Sequence, residues 1–173
     1  MSTKDKLIFL DIDGVVNTIM LDTKPFEGAR GIICTDGFYY DMCFNSDGRV
    51  SNRQAVMWLN KLCKETGAKI VISSTWRFCE REGEPTTEDC LRNSGLLPEI
   101  EIIGKTPRLG YGSCRGDEIL TYLQKEFPQG VYSYVILDDD TDMGECIDAL
   151  VQCEVHRGFG YIEYKKALDI LNQ

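Results

Sequence analysis

The chain has 173 residues, 43% of them apolar and 27% charged, with 28 acidic against 19 basic side chains and a formal net charge of -9. That length suits a single domain with one independent core, and the composition excludes a low-complexity or intrinsically disordered chain. The acidic balance argues against general attraction to phosphate backbones or anionic lipid, while leaving room for a local basic patch.

The first predicted element is a strand in "KLIFLDID", which ends in Asp11 and Asp13 with Gly14 directly behind. Alternate residues of an extended strand face the same way, so one cation and one phosphoryl group can engage both carboxylates. Gly14 removes side-chain bulk where the chain turns and a ligand approaches. A long stretch at about residues 18–48 follows, rich in glycine and aromatics ("GFYYDMCF"). Its length suits a hairpin or short helical element, so a small flap is expected and not a full cap domain. Phe38, Tyr39 and Tyr40 are expected to pack that flap onto its own domain.

The first helix is predicted in "SNRQAVMWLNKLCKETG", capped by Ser51 or Asn52, striped by Ala55, Val56, Leu59 and Leu62, and stopped by Gly67. A second strand, "AKIVISS", leads into Ser73, Ser74 and Thr75. The stretch from Phe78 to Pro98 begins polar and then carries a short helical piece, "TEDCLRNSGLL". Like the segment after the first strand, it follows a strand end and is placed to overhang the same crevice. A third strand, "EIEIIG", precedes Lys105, and a helix in "GDEILTYLQKEF" begins just after Arg115 and ends at Pro128. The strand "SYVILDDD" ends in Asp138, Asp139 and Asp140, and a fifth strand is read in "LVQCEV". The last helix, about "IEYKKALDILNQ", is expected to face the sheet with Ile162, Ala167, Leu168 and Leu171. Continuous apolar strands alternating with helices predict an α/β fold, a three-layer Rossmann-like domain with a mainly parallel central sheet.

"MSTKDKLIFL" has only a short apolar run, broken at Asp11, and no later segment approaches the length of a membrane span. No membrane partner and a cytoplasmic location are therefore expected. Cys34, Cys43, Cys63, Cys79, Cys90, Cys114, Cys146 and Cys153 contain no C-x-x-C, and His156 is the only histidine. Neither a disulfide framework nor a zinc site is supported, and the thiols are expected to be mostly reduced, buried and small.

Open α/β sheets bind ligands beyond the carboxyl ends of their strands. Asp11 and Asp13, the Ser73 to Thr75 hydroxyls, and Asp138 to Asp140 should therefore gather at one edge. Carboxylates clustered without histidine or cysteine suit a hard cation such as Mg2+, and would repel one another without it. With a phosphoryl group held there, one aspartate is placed to attack phosphorus and its neighbour to move a proton.

"DIDGVVN" resembles the D-x-D-G-[VT] motif of the haloacid dehalogenase (HAD) superfamily, and "IVISSTWR", "RGDEI" and "VILDDDTD" follow in the order of its second, third and fourth motifs. The resemblance runs from Leu7 to Asp142, and "KIVISSTWR" with the "RGDEI" helix is similar to a small branch related to the phosphatase domains of nucleic-acid end-repair proteins. It implies that Asp11 is the nucleophile, forming an aspartyl-phosphate, and that Asp13 is the general acid and base. Ser74 would bind the phosphoryl group, with Ser73 and Thr75 as alternatives for that place. Arg115 would stand where the family more often has lysine, with Lys105 as its rival. Mg2+ would be held by Asp11, the backbone carbonyl of Asp13, and Asp138, assisted by Asp139 and through D-x-x-x-D spacing by Asp142.

Taken alone, D-x-D-G is as often a turn as a site. The ordered set of four motifs is what gives it weight. "SSTWR" has a plainer reading too, as hydroxyls capping the next segment. Trp76 is read as packing, and Arg77 as either packing or contact. "GKT" at Gly104 has Glu99 where a phosphate-binding loop needs glycine, and "RGD" at Arg115 belongs to a helix start. The expected function is a Mg2+-dependent phosphomonoester hydrolase acting on a small phosphorylated metabolite or nucleotide. The alternatives are a phosphatase for 3' or 5' phosphate ends of nucleic acids, and a non-catalytic phosphate- or metal-binding protein of the same fold. The last would be expected to lack one of the aspartates that this chain keeps.

Overall fold

Five strands, β1 (Lys6–Leu10), β2 (Lys69–Ile72), β3 (Ile102–Lys105), β4 (Ser133–Asp138) and β5 (Leu150–Gln152), make one sheet in the order β3-β2-β1-β4-β5. Every pairing is parallel. The computed structural model describes residues 5–18, 50 and 52–173. The expected flap, with Phe38, Tyr39 and Tyr40, lies outside the described residues apart from Thr18, as do Ser51, Cys34 and Cys43.

The apolar runs read as strands because both faces of the sheet are covered. Ile8, Leu10, Ile70, Ile72, Val135 and Leu137 face one core with α1 (Arg53–Thr66), α2 (Thr87–Asn93) and α4 (Tyr161–Leu171). Leu7, Phe9, Val71 and Ile136 face the other, with α3 (Arg115–Glu126) and a 3-10 segment at Gly144–Ala149. This is the expected three-layer α/β arrangement. Leu7 to Leu10 are all 0% exposed, and each fully buried apolar side chain contributes roughly 1.5–3 kcal/mol, so β1 anchors both layers.

Helix ends follow local chemistry. The Asn52 side chain accepts from Ala55 N–H at 3.0 Å and starts α1, and Gly67, at φ +69°, ends it. Thr86 and Asp89 cap α2 reciprocally. Cys90 and Leu91 of α2 are buried in the core, so this part of the Phe78 to Pro98 stretch is core and does not overhang the crevice. Ile162 is also corrected: it is 59% exposed, and Tyr164, Ala167 and Leu171 form the buried stripe of α4. At about 100° per residue, Ile162 points roughly opposite to Tyr164. The six cysteines among the described residues are free thiols.

Candidate active site

The site forms where β1, β2 and β4 end. Backbone pairing continues one residue beyond the strands: Asp11 N–H donates to the Leu137 carbonyl and Ser73 N–H to the Leu10 carbonyl, each at 2.9 Å. Asp11 is thereby fixed between the ends of β4 and β2. One carboxylate oxygen from each of Asp11, Asp138 and Asp139 lies within 4.8 Å of the other two.

This cluster is short of positive charge. Burial above all, then the Asp138 carboxylate, holds the Asp11 pKa well above the ordinary carboxylate range, against the pull of Arg115. Burial pushes Asp138 up to about 6, opposed by the Asp140 N–H and Arg115, and burial also raises Asp139. Asp138 Oδ2 is buried without a hydrogen-bond partner. Oxygen donors alone, held above their normal pKa with one oxygen unsatisfied, fit a hard divalent cation, whose charge would bring all three back to the ionised form.

Asp139 is seated by a glycine. A Cβ on Gly14, whose φ is +72°, would lie 2.4 Å from Asp139 Cγ, so any side chain there displaces the carboxylate. Asp13 faces other partners: Asn17 Nδ2 donates to its Oδ1 and Trp76 Nε1 to its Oδ2, each at 2.7 Å. Its carboxylate is thus oriented apart from the cluster, and burial raises its pKa while these two donors lower it. Trp76, read from the sequence as packing, is buried and also holds Asp13.

Arg115, the first residue of α3, lies 3.7 Å by Nη2 from Asp11 Oδ1 and 3.7 Å by Nε from Asp138 Oδ2. Its Nη1 donates to the Ser73 carbonyl. Lys105, the rival cation, pairs instead with Glu80 at the surface. The start of α3 is held by Asp142, whose Oδ2 accepts from Arg115 N–H at 3.1 Å. A Cβ on Gly116 would come within 1.9 Å of the Met143 carbonyl, so only glycine lets α3 approach this closely and present Arg115. Asp142 is thus occupied at the helix start and is not among the three converging carboxylates.

The three hydroxyls are treated differently. Ser74 Oγ accepts from Trp76 N–H at 3.4 Å, capping a 3-10 turn at Thr75–Phe78, and Thr75 is half-buried in that turn. Ser73 is fully buried and its Oγ has no hydrogen-bond partner. Thr106, just after β3, also has a buried Oγ1 without a partner.

Behind them, Arg77 donates to the carbonyls of Ser73 (2.7 Å) and Thr106 (2.9 Å) and pairs with Glu118 of α3 at 2.6 Å. Sequence reading left the roles of Arg77 and Trp76 open or partial, and passed over Asn17 and Thr106. Trp76 meets Asp13 across 63 residues and Arg77 meets Glu118 across 41, separations that no local pattern marks.

The sequence pattern of the family described as "HAD domain in Swiss Army Knife RNA repair proteins" matches residues 7–161. No curated protein and no solved structure matches the chain.

Proposed function

Because the chain belongs to the family of HAD domains in Swiss Army Knife RNA repair proteins, we propose that it is a Mg2+-dependent phosphomonoesterase working through a phosphorylated Asp11. Family membership supports a phosphatase-type hydrolase at the superfamily level. The proposal includes one HAD-type domain with a flap at about 18–48. The observation that carries it is the convergence of the Asp11, Asp138 and Asp139 carboxylates beside Arg115 and the unpartnered Ser73 hydroxyl.

In the first half-reaction an Asp11 oxygen attacks phosphorus, the bond from phosphorus to the ester oxygen breaks, and the leaving oxygen takes a proton from Asp13. In the second, Asp13 removes a proton from water, the water oxygen attacks phosphorus, and the bond to Asp11 breaks, releasing phosphate. Burial of Asp13 favours its acid form for the first step, and Asn17 and Trp76 fix its direction. Arg115 and the Ser73 hydroxyl would hold the phosphoryl oxygens, with Ser74 left to cap the following turn. Asp11, Asp138 and Asp139, with the Asp13 carbonyl, would hold Mg2+, which supplies charge neutralisation for the incoming phosphate.

An aryl phosphate assayed with Mg2+ and with EDTA, for the native chain and for Asp11→Asn, tests the reading. Hydrolysis is expected only for the native chain with Mg2+; equal turnover with EDTA or in the variant overturns it. A second reading, a phosphorylated nucleic-acid end as substrate, is favoured over a small phosphorylated metabolite by the RNA repair description of the family. A panel of sugar phosphates, mononucleotides and 3'- or 5'-phosphorylated oligonucleotides separates the two.

A further inference from the structure

We propose that Phe78, Arg108 and Tyr111 form a stacking ledge that receives the terminal bases of a single-stranded nucleic acid while its end phosphate enters the site, an inference that rests on the phosphatase reading above. Phe78 is 40% exposed and Tyr111 fully exposed, whereas Trp76, in the same turn as Phe78, is buried. The Arg108 guanidinium carbon lies 5.2 Å from the Phe78 ring centre and that of Arg77 lies 4.0 Å from it. An exposed ring with a guanidinium on it is a surface for another flat, electron-rich system, and every nucleobase presents one.

The ledge grows out of the phosphate-binding elements themselves. Phe78 ends the 3-10 turn that Ser74 caps, directly after Ser73. Arg108 and Tyr111 sit on the loop between β3 and Arg115. Arg77 fastens the two segments together through the carbonyls of Ser73 and Thr106, so ring and phosphate sites move as one body. Arg108 has no carboxylate partner among the described residues, and Glu80 is taken by Lys105 and the Thr87 N–H. Arg108 therefore keeps its charge for a phosphate one nucleotide along. With -9 on the chain as a whole, such binding is confined to a few terminal nucleotides.

The test compares kcat/KM for a short phosphorylated oligonucleotide, the same strand with abasic terminal positions, a phosphotyrosine peptide and a non-aromatic sugar phosphate. Phe78→Ala, Arg108→Ala and Tyr111→Ala are each expected to raise KM for the oligonucleotide about tenfold. Turnover of the sugar phosphate stays unchanged, and the abasic strand behaves with the native chain as the intact strand does with the variants. Tyr111→Trp should restore oligonucleotide binding. Equal losses on both substrates, indifference of the oligonucleotide to all three variants, equal use of intact and abasic strands, or a selective loss on the phosphopeptide overturns the ledge. Fluorescence anisotropy of a labelled oligonucleotide, read on the same variants, tests the ledge even if no substrate is turned over. Absence of turnover would sink the phosphatase reading alone. Tyr111, fully exposed, provides a variant whose folding is not at stake.

Discussion

The two ends of the sheet are built on opposite terms. At the amino end polar groups have partners: Lys6 Nζ donates to Asn172 Oδ1 at 2.8 Å, Ser133 Oγ to the Leu171 carbonyl at 2.9 Å, and Tyr132 N–H to the Asp5 carbonyl at 2.8 Å. At the carboxyl end, Ser73 Oγ, Thr106 Oγ1 and Asp138 Oδ2 are buried without a hydrogen bond, at the ends of β2, β3 and β4. Thr87 Oγ1, in α2, is the remaining such atom among the described residues. A buried polar atom left unpaired costs about 1–3 kcal/mol, so three at one edge are stability forgone where a ligand can supply the missing bonds. One end of the sheet stabilises the fold; the other is left short of partners for what it binds.

Substitutions and pH can break that contrast. Asp11→Asn should lower Mg2+-dependent turnover of an aryl phosphate about 10^4-fold or more while thermal unfolding shows equal or greater stability, because a buried charge is removed with its function. A variant that unfolds more easily would mean that the carboxyl end is structural after all. Ser73→Ala should cost about 10- to 100-fold in kcat/KM and raise the melting temperature, because a buried hydroxyl without a partner is removed. Ser74→Ala should do the reverse, losing a cap of about 0.5 kcal/mol with little change in rate. Exchange of those two outcomes would hand the phosphoryl contact back to Ser74.

Protons should compete with the cation. Asp138, held near 6 by burial, must be ionised to bind Mg2+, so affinity measured by calorimetry should be about tenfold weaker at pH 5 than at pH 7, with proton release on binding. In EDTA the sign of the stability change follows from the same shift. The folded chain holds the Asp138 proton more tightly than the unfolded chain, so its contribution is greatest below the usual carboxylate pKa and is lost as pH rises through about 6. Unfolding curves with and without Mg2+ should diverge above that point. The smallest effect belongs to the amino end: Ser133→Ala should cost about 0.5–1.5 kcal/mol in denaturant unfolding and leave turnover untouched.

The central strands β1, β2 and β4 were legible because both of their faces are buried, which makes "LIFL" or "VIL" continuously apolar. The helices were legible through Asn52, Gly67 and the acidic start of α3. The stripe of α4 was misread because Tyr164, an amphipathic residue, took the place assigned to Ile162. At the site, Asp11, Asp138 and Asp139 stand on strand ends, which a linear reading can find. The choice between Ser73 and Ser74 depends on where β2 stops and the 3-10 turn begins, a matter of hydrogen bonds that residue types do not encode. Both 3-10 segments are too short to show a period.

The contact between Gly14 and Asp139 limits how this chain can vary. Any side chain at position 14 meets the Asp139 carboxylate and also adopts a left-handed backbone. Single changes at 14 are therefore closed, and routes away from glycine pass through position 139 first. A saturation library at position 14 selected for turnover should return glycine alone. A library that also varies position 139, selected for folding, should admit asparagine and aspartate, which tolerate positive φ, so the two positions are inherited as one.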